Sequence, residues 1–203
     1  MKPCPELYIL RHGETFWNRE GRMQGALDSD LTDLGQAQAR AMGGLLASYD
    51  LTGHELYCSP LGRARATAKL AFDRIPIFDL RLREIEVGLW AGLTRPEILA
   101  RWPGMTEEED MLDFYARAPG GEGFGALWDR VCGFLSDLPG PAVIVTHGVT
   151  SRFLRTAALG LSPADLNQVP GGQGVVFRLL DGAHEVLTPD GLQPAVAEGK
   201  AGL

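Results

Sequence analysis

Residues 7–18 read LYILRHGETFWN. Leu7, Tyr8, Ile9 and Leu10 form an apolar run of a length suited to a buried strand and too short for a core helix. The run stops on Arg11, His12 and Gly13. Residues 142–148, AVIVTHG, repeat that arrangement, because the strand-like run Ala142 to Thr146 ends on His147 and Gly148. Two strands therefore each deliver a histidine followed by a glycine at the carboxyl end.

Outward from these runs, strands and helices alternate. Thr32 is placed to cap a helix in which Leu34, Ala37, Ala41 and Leu45 recur at helical spacing. Glu55 to Cys58 reads as a strand, and Ser59-Pro60 as a serine cap followed by proline at the first helical position, with Ala64, Ala66, Ala68 and Leu70 continuing the helix. Ile75 to Leu82 reads as a third strand, placed at an edge or a strand start by Pro76. Thr106 and Glu109 form a capping-box pattern for a helix running to about Ala118. Phe124 to Leu138 is amphipathic, with Leu127, Val131, Phe134 and Leu135 on one face. Val175 to Leu180 supplies one more strand. Such alternation indicates an α/β fold, a three-layer sandwich with a largely parallel central sheet flanked by helices on both faces. In these sheets ligands gather outside the carboxyl ends of the strands.

With 203 residues and 45% hydrophobic content, one domain over residues 1–203 is expected. A formal charge of -7 argues against nucleic acid as a partner, since a phosphate backbone needs a basic face. No stretch reaches the roughly 20 apolar residues of a membrane span, and the N-terminus lacks the apolar core of a signal peptide. Cys4, Cys58 and Cys132 show no metal-ligand spacing and no even pairing. The expectation is a cytoplasmic protein with no membrane partner, reduced cysteines and no metal. A homodimer stays open as the assembly.

The carboxyl ends of three strands would bring together His12, His147 and, in the first turn of the helix after Ser59, Arg63. Arg11 lies beside His12. Two arginines, two imidazoles and a helix N-terminus form a cluster of donors suited to a phosphoryl dianion, and a planar guanidinium donates two bonds to neighbouring oxygens. A neutral imidazole in that cluster is also a competent nucleophile. A leaving alcohol needs a proton, for which Glu84 and Glu86 are the carboxyl candidates.

The four segments LYILRHGETFWN, SPLGRARATA, LREIEVGLWAG and VTHG, in this order, resemble the histidine phosphatase superfamily, the group that includes cofactor-dependent phosphoglycerate mutase. The resemblance implies a phosphoglycerate mutase-like fold and a phosphatase or mutase acting on a small phosphorylated metabolite without cofactor or metal. It implies that His12 is the phosphorylated nucleophile, with Arg11 and Arg63 holding phosphoryl oxygens. His147 would donate to the same group, and Glu84, rather than Glu86, would be the acid. Asn18 would help bind phosphate, with Gln24 and Gly148 as pocket neighbours.

Phosphatase chemistry is expected over phosphoglycerate mutase chemistry. A mutase must hold a carboxylate, and the acidic run Glu107 to Asp110 has the wrong charge, although Arg95, Arg101 and Arg117 are available as contacts. Asp30, Ala91 and Gly123 depart from the family pattern at the rim, where they bear on substrate choice. A phosphate-binding or interaction module without catalysis is the reading from another class, and the presence of Arg11, His12, Arg63, Glu84 and His147 argues against it. His54 and His184 sit in polar, turn-like settings and are expected at the surface. Gly13 is expected to let phosphate approach the backbone.

Overall fold

The computed structural model describes residues 4–106, 111–188 and 191–194. Strands β1 (Leu7–Arg11) and β4 (Ala142–Thr146) are buried along their whole length. They pair in parallel with Leu7 opposite Ala142 and Arg11 opposite Thr146. His12 N–H extends the ladder to the Thr146 carbonyl at 2.9 Å, so His12 and His147 leave the sheet side by side. Strand β2 (Glu55–Cys58) pairs with the other edge of β4, and Ser59 N–H reaches the Val145 carbonyl at 2.9 Å, which places Ser59 at the same end.

Strand β3 (Ile77–Phe78) adds to β2, while β5 (Val176–Leu180), β6 (Ala183–Thr188) and β7 (Gly191–Pro194) continue beyond β1, giving the order β3-β2-β4-β1-β5-β6-β7. The pairs from β3 to β1 are parallel, and those from β1 to β7 are antiparallel. Since β6 is antiparallel to β5, it points the same way as β1, and the sheet is largely parallel in direction.

Alternate side chains of the central strands feed two cores, as the pleat requires. Tyr8, Leu10, Val143 and Val145 pack with Met42, Leu46, Ala64 and Ala68 of α2 (Asp33–Leu46) and α3 (Gly62–Ala71). Leu7, Ile9 and Ile144 pack on the opposite side with Val131 and Phe134 of α6 (Gly123–Asp137) and Phe153 of α7 (Gly148–Ala158). The short helices α4 (Arg95–Arg101) and α5 (Met111–Ala116) add Ile98 and Phe114 to that second core. A four-residue helix, Phe16–Arg19, follows β1. Among the described residues no helix is long and apolar enough to cross a membrane.

Several local expectations shift. Helix α2 buries Gly35, Ala39, Met42 and Leu46, one position round from the expected face, and Leu34 is 52% exposed. Close approach governs this choice: a Cβ on Gly35 would lie 2.0 Å from the Glu14 carbonyl, and one on Gly43 2.3 Å from that of Ala71. Gly13 serves the same contact, since its own Cβ would lie 2.1 Å from the Gly35 carbonyl, and its N–H donates to Thr67 Oγ1 at 3.0 Å. Its small size admits helix α2. Helix α3 begins two residues later than Pro60, with Leu61 at the cap position, because Ser59 is engaged elsewhere. The third strand contracts to Ile77–Phe78 at the sheet edge, followed by a 3-10 turn over Leu80–Leu82 that Asp79 caps. The start of the helix expected after Thr106 falls at 107–110, outside the described residues. His54 is buried against the Tyr8 ring, 5.5 Å between centroids, and lies 3.3 Å from Glu6 Oε2.

Gly35→Ala forces a methyl group against the backbone that carries His12. We expect a loss of about 1–3 kcal/mol in urea unfolding, the cost of overpacking. Gly44→Ala, at a helical position with no atom within 4 Å of the added carbon, should instead gain about 0.5–1 kcal/mol. Equal effects at the two positions would refute the close-contact account.

Candidate active site

The cluster at the carboxyl end of β1 and β4 is built around His12, which is 2% exposed. Its Nδ1 lies 2.8 Å from the Gly13 carbonyl, and its Nε2 lies 3.2 Å from Nε of Arg63. An arginine Nε–H can only donate, so Nε2 is the acceptor and Nδ1 carries the proton. Burial, then the Arg63 and Arg11 charges, hold the His12 pKa well below the ordinary imidazole value. The ring is a neutral base with its lone pair on Nε2.

Arg63 is aimed by acceptors on the loop before α2. Its Nη1 donates to the Leu27 carbonyl at 2.7 Å and to Asp28 Oδ1 at 2.9 Å, and its Nη2 donates to the Gly25 carbonyl at 2.8 Å. The Asp28 carboxylate also accepts Gly62 N–H at 2.7 Å and Arg63 N–H at 3.2 Å. It supplies from a distant loop the cap that Ser59 does not provide, at the helix end that favours negative charge.

Ser59 instead meets His147, with 2.7 Å between Oγ and Nε2, and accepts Leu61 N–H at 3.3 Å. The His12 and His147 rings lie 5.2 Å apart at 60°. His147 is fully buried, and burial together with Arg63 and the other pocket charges depresses its pKa well below the usual value. The Arg11 guanidinium rests against the backbone at Gly148, where a Cβ would come 3.3 Å from Cζ. Arg11 Nε, His147 Nδ1 and Gln24 Oε1 are buried atoms with no hydrogen-bond partner. Unpaired buried polar atoms are costly, and a bound oxyanion would satisfy two such donors at Arg11 and His147.

Glu84 is buried at the start of α7. Its Oε1 accepts Ile85 N–H and Thr150 N–H, each at 3.0 Å, and lies 3.0 Å from the Thr150 hydroxyl oxygen, whose proton is shared with the nearer Arg83 carbonyl at 2.7 Å, while Oε2 accepts only Val149 N–H at 3.2 Å. The Glu84 charge acts on Arg11 and Arg63, opposing the effect of burial on both guanidinium groups. Glu86, the other carboxyl candidate, is half exposed and pairs with Arg83 at 3.5 Å. On the opposite wall Thr15 accepts Asn18 N–H at 3.1 Å and Gln24 Nε2–H at 2.9 Å. Asn18 Oδ1 takes bonds from Thr15 N–H, the Thr15 hydroxyl and Gln173 Nε2, which turns its NH2 group the other way.

The structure thus brings Arg11, His12, Arg63, Glu84, His147 and Gly148 together, with Asn18 and Gln24 joined through Thr15. Ser59, Asp28 and Gln173 are partners that the sequence reading did not assign to the site. Gln173 also donates to the His12 carbonyl at 3.1 Å from a position 161 residues away. Of the three arginines offered for a mutase carboxylate, Arg95 and Arg117 donate to the Thr106 carbonyl at 3.2 Å and the Gly104 carbonyl at 3.1 Å respectively, and Arg101 is exposed at the end of α4. Arg95 also stacks on Phe114, 4.7 Å from its ring centre.

Two buried neutral histidines have a thermodynamic consequence. Each has a folded pKa below its unfolded value of about 6.5, so the unfolded chain binds more protons in acid. His184, partly exposed and 3.2 Å from Arg155, is pushed down to about 4 and acts in the same direction. Stability from these groups is complete above about pH 6.5 and falls as pH drops toward the folded pKa values. The urea midpoint should therefore be lower at about pH 5 than at about pH 7.5, and a rising midpoint on acidification would contradict the neutral-imidazole assignment.

Comparison with known proteins identifies the family. The chain is 33% identical over 168 residues to phosphoserine phosphatase 1 of Hydrogenobacter thermophilus, covering 77% of each protein. It is 35% identical over 171 residues to a probable phosphoglycerate mutase of Salmonella typhi, covering 77% of this chain and 75% of that one. A mycobacterial glucosyl-3-phosphoglycerate phosphatase, solved with VO3, superposes with a TM-score of 0.73 at 30% identity, over 96% of this chain and 100% of the other. A family model matches residues 7–184, the span that carries all the residues gathered around His12. The chain belongs to the histidine phosphatase superfamily, branch 1.

Proposed function

We propose that this protein is a metal-independent phosphatase that hydrolyses small phosphomonoesters through a phosphohistidine on His12. The observation that carries the reading is the state of His12: Nδ1 is committed to the Gly13 carbonyl, and Nε2 is unprotonated among two arginines. In the first step the Nε2 lone pair attacks phosphorus and the bond to the leaving oxygen breaks. Arg63 Nε–H passes from the ring nitrogen to a phosphoryl oxygen as the ester enters, and Arg11 Nε and His147 Nδ1 supply further donors. The Ser59 hydroxyl, donating to His147 Nε2, would hold the proton on Nδ1. The ester enters as its monoanion and passes its proton to Glu84, which gives it to the departing alkoxide through Oε2, the oxygen with the lighter hydrogen-bond load; the proton that Glu84 later takes from water leaves with orthophosphate. In the second step Glu84 takes a proton from water, the resulting hydroxide attacks phosphorus, and the N–P bond breaks to release orthophosphate.

The engagement of Arg95 and Arg117 with backbone carbonyls supports hydrolysis over phosphoglycerate interconversion. The names of two relatives, a phosphoserine phosphatase and a glucosyl-3-phosphoglycerate phosphatase, point the same way. The test is phosphate release from a panel of sugar phosphates, phosphoserine and phosphoglycerates, with 3-phosphoglycerate interconversion followed in parallel. Release without interconversion, insensitive to chelators, is expected. Interconversion without net release would establish a mutase, and silence in both assays would move weight to a non-catalytic module.

A further inference from the structure

The segment that carries Glu84 has little regular structure of its own, so its position is set by side chains from elsewhere. The Leu82 carbonyl accepts the Thr146 hydroxyl at 2.7 Å, and the Arg83 carbonyl accepts the Thr150 hydroxyl at 2.7 Å. These threonines fix one flank of Glu84 to the strand and helix that bear His147. The other flank is held by a pair that the mechanism above does not use. Arg130 donates to Glu122 in a two-pronged fork, Nε to Oε1 at 2.6 Å and Nη2 to Oε2 at 3.0 Å, and its Nη1 donates to the Arg81 carbonyl. Glu122 in turn accepts Glu86 N–H at 3.4 Å and Arg83 Nη2 at 3.3 Å, while its own N–H donates to the Glu86 carbonyl at 2.9 Å. Both side chains are buried, at 6% and 9% exposure.

The backbones in this contact leave no slack. Gly88 adopts φ +46°, and a Cβ there would lie 2.2 Å from the Pro119 carbonyl, while one on Gly121 would lie 2.6 Å from the Glu86 carbonyl. The turn leading into α6 is therefore pressed against the segment just past Glu84, and the Glu122–Arg130 pair bridges residues 81 and 86 on either side of it.

We infer that Glu122 and Arg130 are positioning residues for Glu84, setting where its carboxyl group stands relative to the leaving oxygen. This rests on the assignment of Glu84 as the acid. Proton transfer needs hydrogen-bond reach, and a displacement of about 1 Å can cost roughly 100-fold in rate. The phosphoryl clamp of Arg11, Arg63 and His147 comes from other elements, and of its three members only His147 has the Arg130 charge acting on it, as the smallest of five causes that lower its pKa.

Removing Glu122 alone strands the Arg130 charge, so the informative variant is Glu122→Gln with Arg130→Met, which removes both charges at similar volume. Arg130→Lys, which keeps the charge and loses the fork, is the second variant should the first not fold. We expect turnover of an alkyl phosphate to fall roughly 10- to 100-fold in the double variant, and that of 4-nitrophenyl phosphate by less than about threefold. Inhibition by inorganic phosphate should change far less than alkyl-ester turnover. Arg130→Lys should show the same selectivity at smaller size. Adding Glu84→Gln to either variant should bring less further alkyl-ester loss than it does in the wild type, since both act through one group. Equal losses on the two esters, or full additivity with Glu84→Gln, would overturn the positioning role while leaving the phosphatase reading intact. A wild-type enzyme in which Glu84→Gln itself shows no selectivity would overturn the acid assignment and this inference with it.

Discussion

His12→Ala should lower phosphate release from every ester to background, a loss of roughly 10⁴-fold or more, because no other group in the pocket can take over as the nucleophile. The neighbouring imidazole does not qualify: His147 Nε2 is occupied by Ser59, and that ring sits at the start of α7, where its free Nδ1 suits a donor. The substitution leaves Arg11 and Arg63 in place, and Arg63 keeps its bonds to Gly25, Leu27 and Asp28. Inorganic phosphate should therefore still bind. This separates loss of chemistry from loss of the site, which matters because His12 is buried and its removal leaves a small cavity. Wild-type enzyme quenched during turnover should carry a phosphoryl group that is lost in acid and survives alkali, as expected for a phosphorus–nitrogen bond, and His12→Ala should carry none. Retention of more than about 1% of wild-type turnover by His12→Ala would remove His12 from the nucleophile's role.

The parts of this site that could be read in the sequence are those fixed by strands. AVIVT and LYIL are buried on both faces, so they appear as continuous apolar runs, and their parallel register puts the residue after each run at the same level. His12 and His147 could be paired on that basis before any coordinates existed. Side-chain partners from loops could not. Asp28 caps a helix that begins 34 residues later, and no local pattern marks it. Ser59-Pro60 carries a good helix-start signal, yet the serine is drawn to His147 and the helix waits for Gly62, so a tertiary contact overrides local propensity. The face of α2 was misplaced because periodicity weighs apolar character, whereas this helix is seated by its smallest residues, Gly35, Ala39 and Gly43. Glu122 and Arg130 are invisible for a related reason: on a sequence they are two ordinary charges, and only burial makes them a fixed pair.

Glu84→Gln discriminates among leaving groups, and its expected pattern follows from which oxygen does what. An alkoxide leaves poorly without a proton, whereas 4-nitrophenolate leaves well unaided. Removing a general acid should therefore cost roughly 10²- to 10⁴-fold on an alkyl phosphate and much less on the aryl ester. The substitution also disturbs structure. Glu84 meets three backbone N–H groups and the Thr150 hydroxyl, and an amide NH2 turned toward Val149 N–H would set donor against donor. A glutamine can retain the two N–H contacts at Oε1 only by placing its NH2 at that second position, so about 1–3 kcal/mol of stability should be lost. That structural loss acts on both esters alike, through the fraction of folded enzyme, and cannot by itself produce selectivity. The ratio of alkyl to aryl turnover is thus the quantity to measure, under conditions where urea unfolding shows the variant fully folded. A ratio that falls at least tenfold assigns the proton to Glu84, while an unchanged ratio leaves the carboxylate as the cap of α7 and requires another donor for the leaving oxygen.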